Sequence, residues 1–87
     1  MTDKGPEGTE ALKELIHSIA VELVDHPDQV EVTEVASHNN TVLELRVAKD
    51  DIGKVIGKEG RTAQSMRTIL TAASSKLGLR AHLDIVD

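Results

Sequence analysis

The chain contains no phenylalanine, tyrosine, tryptophan or cysteine anywhere in its 87 residues. Its core must therefore be aliphatic, with no disulfide and no thiolate-bound zinc to hold it. Leu, Ile and Val are plentiful enough, within a 39% apolar share, for a core to form. The length predicts one domain. The missing rings also exclude any mechanism that stacks bases on aromatic side chains. The longest unbroken apolar run is Ile19 to Val21, too short for a membrane span or a signal peptide, so a soluble, cytoplasmic protein is expected.

The net charge of −5 opposes a polyanionic partner, but it is unevenly spread. Residues 1–45 carry two bases and ten acids, a local −8, whereas residues 46–87 carry eight bases and five acids, a local +3. Such asymmetry is a signal of a polar or nucleic-acid partner.

Met1 to Gly8 has no hydrophobic periodicity and reads as a disordered tail, leaving 9–87 as the folded domain. Leu12, Leu15, Ile16, Ile19, Leu23 and Val24 recur at helical spacing, with Thr9 as expected N-cap and Pro27 as the stop. Val30 and Val32 begin a half-buried strand, which the parity break at Val35 predicts to bulge or end early. The Ser37–Thr41 turn cluster leads into Leu43, Leu45 and Val47, completing a hairpin. Asp50 or Asp51 is placed to cap a short helix over Ile52–Ile56. A further helix follows with an expected inward stripe of Ala63, Met66, Ile69, Leu70, Ala73 and Leu77, ended by Gly78. Leu79, Ala81, Leu83 and Ile85 then alternate as a last strand. The predicted order is αββααβ: an α+β domain with three helices on one face of a three-stranded sheet.

One segment departs from packing logic, Ile52-Gly53-Lys54-Val55-Ile56-Gly57-Lys58-Glu59-Gly60-Arg61. Each glycine weakens a short helix by up to about 1 kcal/mol, so close approach of a ligand to the backbone is the expected return. Gly57 and Gly60 bracket a turn in which no β-carbon blocks a phosphate, Lys58 adds charge, and amides open the next helix. Val55-Ile56-Gly57-Lys58-Glu59-Gly60-Arg61 resembles the VIGxxG signature of KH domains, which clamp single-stranded RNA backbone with a GXXG loop. The element order is similar to the type II arrangement, and the stand-alone chain is similar to the small bacterial KhpA-type family. The resemblance spans residues 10–86. It implies a phosphate clamp at Gly57, Lys58, Glu59 and Gly60, with bases in an aliphatic groove to which Ile52, Val55 and Ile56 contribute. Lys54, Arg61 and Arg67 are the expected positive rim. Glu59 offsets Lys58, so modest affinity is expected.

Other signals point nowhere. Gly53 to Glu59 lacks the spacing and the Ser or Thr of a Walker A loop. His26-Pro27-Asp28 matches the J-domain tripeptide without its basic helix and reads as a helix stop. The histidines at 17, 26, 38 and 82 lack ligand spacing, so no metal or other cofactor is expected, and no catalytic residue is assigned. The resemblance implies an RNA-binding module and not an enzyme: an RNA chaperone or post-transcriptional regulator, paired as a homodimer or with another KH or RNA-binding protein. The rival expectation is a protein-interaction or dimerisation adaptor using the acidic first helix, with Glu10, Glu14, Glu22 and Asp25.

Overall fold

A computed structural model describes residues 4–38 and 40–87, with side chains from residue 8 onward other than that of Ser37. Its elements are α1 (Lys4–Leu23), β1 (Glu31–Ser37), β2 (Asn40–Arg46), α2 (Ile52–Ile56), α3 (Arg61–Lys76) and β3 (Ala81–Val86). Single 3-10 turns occupy Pro27–Gln29, Lys49–Asp51 and Lys58–Gly60.

The expected order αββααβ is present, and α1 starts earlier than Thr9. Pro6 falls in the first helical turn, where backbone N–H groups have no partner in any case, so it does not interrupt the helix. Thr9 is buried within α1 and does not cap it. A β-carbon on Gly8 would lie 2.7 Å from Leu79 Cδ1, so glycine lets α1 approach the segment that follows α3. Of the expected tail, residues 1–3 lie outside the described residues, as does Asn39 of the turn cluster.

The sheet has the order β1-β2-β3, with β1 antiparallel and β3 parallel to the central β2. Parallel pairing needs a long crossover, which α2, the turn and α3 supply. Leu43 lies opposite Leu83, and Leu45 stands between Val32 and Ile85. The expected bulge at Val35 is absent. β1 pairs regularly through Ser37, and Val35 meets Val42 on the face opposite Leu43 and Leu45.

Leu12, Ile16 and Ala20 of α1, Leu43 and Leu45 of β2, Val55 of α2, Met66 and Leu70 of α3, and Ala81 and Leu83 of β3 form one aliphatic core. The inward line of α3 is Ala63, Met66, Leu70 and Ser74. Ile69 and Leu77, expected inside, are 44% and 38% exposed. At 100° per residue Ile69 is turned well away from the line through Met66 and Leu70, which faces α1 and β3. Gly78 ends α3 as expected: at φ 73° it lets Leu79 N–H reach Ser74 O at 2.8 Å and Gly78 N–H reach Ser75 O at 3.0 Å.

Candidate nucleic-acid interface

α2 is too short to be stable alone, and it is held by its packing on α1 and α3, with Val55 and Asp51 the buried anchors. Val55, fully buried, holds its middle in the core. Asp51 precedes it and is also fully buried. Its carboxylate makes no helix-cap bond. Oδ1 instead accepts the N–H of Asp25 at 3.1 Å, and Oδ2 accepts that of His26 at 3.0 Å. Lys54 Nζ stands 3.8 Å from Asp51 Oδ1 and 3.3 Å from Asp25 Oδ2. Burial alone pushes the Asp51 carboxyl up, but the two backbone donors and the charges of His26 and Lys54 outweigh it and hold the group below its ordinary value.

The chain leaves α2 at Gly57, whose N–H reaches Gly53 O at 2.8 Å, and turns through Lys58–Gly60 into α3. Gly57 has φ 78° and ψ 173°, and Gly60 has φ 73° and ψ 12°. A β-carbon on Gly57 would stand 2.1 Å from Thr62 Oγ1, whereas one on Gly60 meets nothing within 4 Å. Between them Glu59 is the one described non-glycine residue with positive φ, at 57°. The turn's hydrogen bonds use the N–H groups of Gly57, Gly60 and Arg61 and, among the described residues, no N–H of Lys58 or Glu59. The result is a bare backbone corner with two unengaged N–H groups beside an exposed lysine, an arrangement that can receive an anion.

The expected site residues divide around this corner. Lys58, Glu59 and Arg61 are exposed at the turn, and Arg61 Nη2 lies 3.2 Å from Glu59 Oε1. Ile56 is 38% exposed and Ile52 partly so, one helical turn apart, giving an apolar strip beside the glycines. Val55 is a correction: with no exposed surface it supports α2 from below and offers nothing to a base. Lys54 is engaged by Asp25 and Asp51, so its charge is already compensated. Arg67 stands six residues along α3 from Arg61, roughly 9 Å of helical rise. Its Nε donates to Leu83 O at 3.4 Å on the edge strand β3. The long-range role of Asp51 had no local signal in the sequence, because its donors lie 25 and 26 residues away.

Among the described residues no group of three or more His, Asp or Glu side chains could hold a metal ion. No described helix is long and apolar enough to cross a membrane.

Residues 13–85 match the profile of the family described as KhpA/KhpB, KH domain. The chain is 49% identical over 77 residues to "RNA-binding protein KhpA" of Aquifex aeolicus, covering 88% of this chain and 98% of that protein. It is also 49% identical over 76 residues to the protein of that name from Halalkalibacterium halodurans, covering 87% and 100%. These relatives are named for binding and not for catalysis. Among solved structures, Aquifex aeolicus Era bound to GDP.AlF4- is similar with a TM-score of 0.62 at 18% identity, over 86% of this chain and 29% of Era. Era in complex with MgGDPNP and nucleotides of 16S ribosomal RNA is similar with a TM-score of 0.56 at 20% identity, over 85% and 28%. At such identity the Era likeness speaks for the fold alone, an α+β KH-type domain. The family match spans most of the chain and includes the glycine-bracketed turn, and from it we conclude that the chain belongs to the KhpA/KhpB KH-domain family.

Proposed function

We propose that this protein binds single-stranded RNA on the Gly57–Gly60 turn. A phosphate sits against the N–H groups of Lys58 and Glu59 and the Lys58 ammonium, while bases lie along Ile52 and Ile56. Arg61 and Arg67 supply further positive charge. The observation that carries this reading is the exposed corner itself, with unengaged N–H groups and no β-carbon at either glycine. Relatives at 49% identity bear the name of RNA-binding proteins, which supports it. No aromatic ring is needed, because aliphatic contact and edge hydrogen bonds hold the bases.

A clamp spanning about four nucleotides binds weakly alone. Pairing with a second copy or with another RNA-binding chain raises effective concentration without new contacts. The role that follows is non-enzymatic and cytoplasmic, that of an RNA chaperone or post-transcriptional regulator working in pairs.

The test is the double substitution Lys58→Asp with Glu59→Asp, read by fluorescence anisotropy against a labelled oligoribonucleotide and by thermal unfolding. Affinity is expected to fall at least about tenfold, the order of one lost charged contact, with the melting temperature held. Unchanged RNA affinity in the folded variant removes the turn as the binding site. Loss of a partner protein with RNA binding retained favours the adaptor role instead.

A further inference from the structure

Resting on that reading, we propose that Asp51 is the positioning residue of the RNA-binding turn: its buried carboxylate ties α2, and with it Gly57–Gly60, to the backbone corner that follows α1. Burying a carboxylate is costly unless both oxygens find partners. Here both do, through Asp25 N–H at 3.1 Å and His26 N–H at 3.0 Å. Those donors belong to the connection between α1 and β1, so the bond is between elements and not within α2. Capping does not account for the burial, since Asp51 gives α2 no side-chain cap bond.

The leverage is geometric. α2 has five residues, so the turn lies roughly 8 Å beyond Asp51 at 1.5 Å per residue. A tilt of about 10° at Asp51 moves the turn by more than about 1 Å, enough to spoil contacts that depend on fixed geometry. Val55 and the packing of α2 against α1 and α3 hold the middle of the helix, and Asp51 fixes its N-terminal end. Lys54, bridging Asp51 and Asp25, closes the same corner from the solvent side. Lys54 thus serves the corner and not the RNA. Asp51 touches no nucleotide and acts through the placement of α2.

The variants are Asp51→Asn, which keeps the shape but sets an amide donor against a backbone N–H, and Leu12→Ala, a core truncation in the middle of α1. Amide hydrogen exchange is followed at Gly57, whose N–H donates to Gly53 O of α2, and at Gly60, whose N–H donates to Gly57 O across the turn. Without RNA, exchange there is expected to rise about tenfold more in Asp51→Asn than in Leu12→Ala, although the latter loses at least as much melting temperature. At a temperature where both are folded, affinity for a labelled mixed-sequence oligoribonucleotide weakens about tenfold in Asp51→Asn and less than about twofold in Leu12→Ala. In the unsubstituted protein, reciprocity requires that the same RNA slow exchange at Asp25 and His26. Equal exchange at the turn in the two variants overturns the proposal and leaves Asp51 a stabilising residue only. If Asp51→Asn does not fold, unchanged Asp25 and His26 exchange on RNA binding overturns it. If the unsubstituted protein does not bind the RNA, the proposed function fails, while the exchange comparison without RNA still decides the role of Asp51.

Discussion

Gly57, Gly60 and Gly78 hold φ of 78°, 73° and 73°, yet alanine is not equally tolerated at the three. Gly60 and Gly78 have open space where a β-carbon would go, so alanine at Gly78 costs only the left-handed backbone, about 1–2 kcal/mol. Gly57 combines its φ with ψ 173°, a region essentially closed to L side chains. Its β-carbon would also collide with Thr62 Oγ1. Gly57→Ala is expected to cost about 3 kcal/mol or more in urea unfolding. A cost equal to that of Gly78→Ala would mean that both the Gly57 backbone and Thr62 yield. Asp51 gives a second prediction, in pH. Its carboxyl is held below its ordinary value of 3.8, so the unfolded chain takes up the proton first as pH falls. The stability from the Asp25 and His26 donors is complete above that ordinary value and is lost as pH drops through the folded one. The groups facing the carboxyl, His26 and Lys54, both favour its charged form. The melting-temperature gap between the unsubstituted protein and Asp51→Asn is therefore expected to be widest near neutrality and to narrow in acid. A gap independent of pH would show that charge on Asp51 contributes nothing.

At the scale of elements, α3 separates the residues that hold the domain from those that only resemble core. Leu70 is 1% exposed and Ile69 44%. Leu70→Ala should cost about 2–5 kcal/mol by leaving a cavity, and Ile69→Ala within about 0.5 kcal/mol. Comparable losses would place Ile69 against something in solution. Periodicity made the element order legible, along with the hairpin and the Schellman end at Gly78, because these are local features of spacing and turn chemistry. It leaves the helix faces uncertain, so that Ile69 and Leu77 fit the inward stripe by spacing yet stand exposed, while Val55, which the family resemblance places in the groove, is buried. The start of α1 was hidden because Gly5 and Pro6 have the composition of a tail, although a first turn tolerates proline. The glycine turn was legible from its own residues. The anchoring of α2 was not, since Asp51 and its two donors meet only once α1, the sheet and α2 have packed.

Across the whole molecule the net charge of −5 averages two surfaces. Glu10, Glu14 and Glu22 of α1 are exposed and repel a polyanion, while Lys58, Arg61 and Arg67 collect along the turn and α3. On the proposed reading, a short RNA is expected to be drawn toward the Lys58–Arg61 turn and repelled from the exposed carboxylates of α1. Three cations at phosphates give a slope of log K against log salt of about −2, at roughly −0.7 per contact for single strands. Lys54 is left out of that count because it is held at 3.8 Å by the fully buried Asp51 as well as at 3.3 Å by Asp25, whereas Glu59, paired with Arg61, is a solvent-exposed carboxylate that a phosphate can displace. Lys58→Ala is then expected to bring the slope to about −1.4, whereas Lys54→Ala leaves it near −2. Glu59→Gly removes the carboxylate 3.2 Å from Arg61 and frees that cation without adding one. It should raise affinity about two- to fivefold, the worth of one exposed pair, at an unchanged slope. Salt titrations of the three variants thus separate a cation that meets phosphate from one that holds the fold. An equal fall in slope for Lys54→Ala and Lys58→Ala would put Lys54 on the RNA and break its assignment to the Asp51 corner.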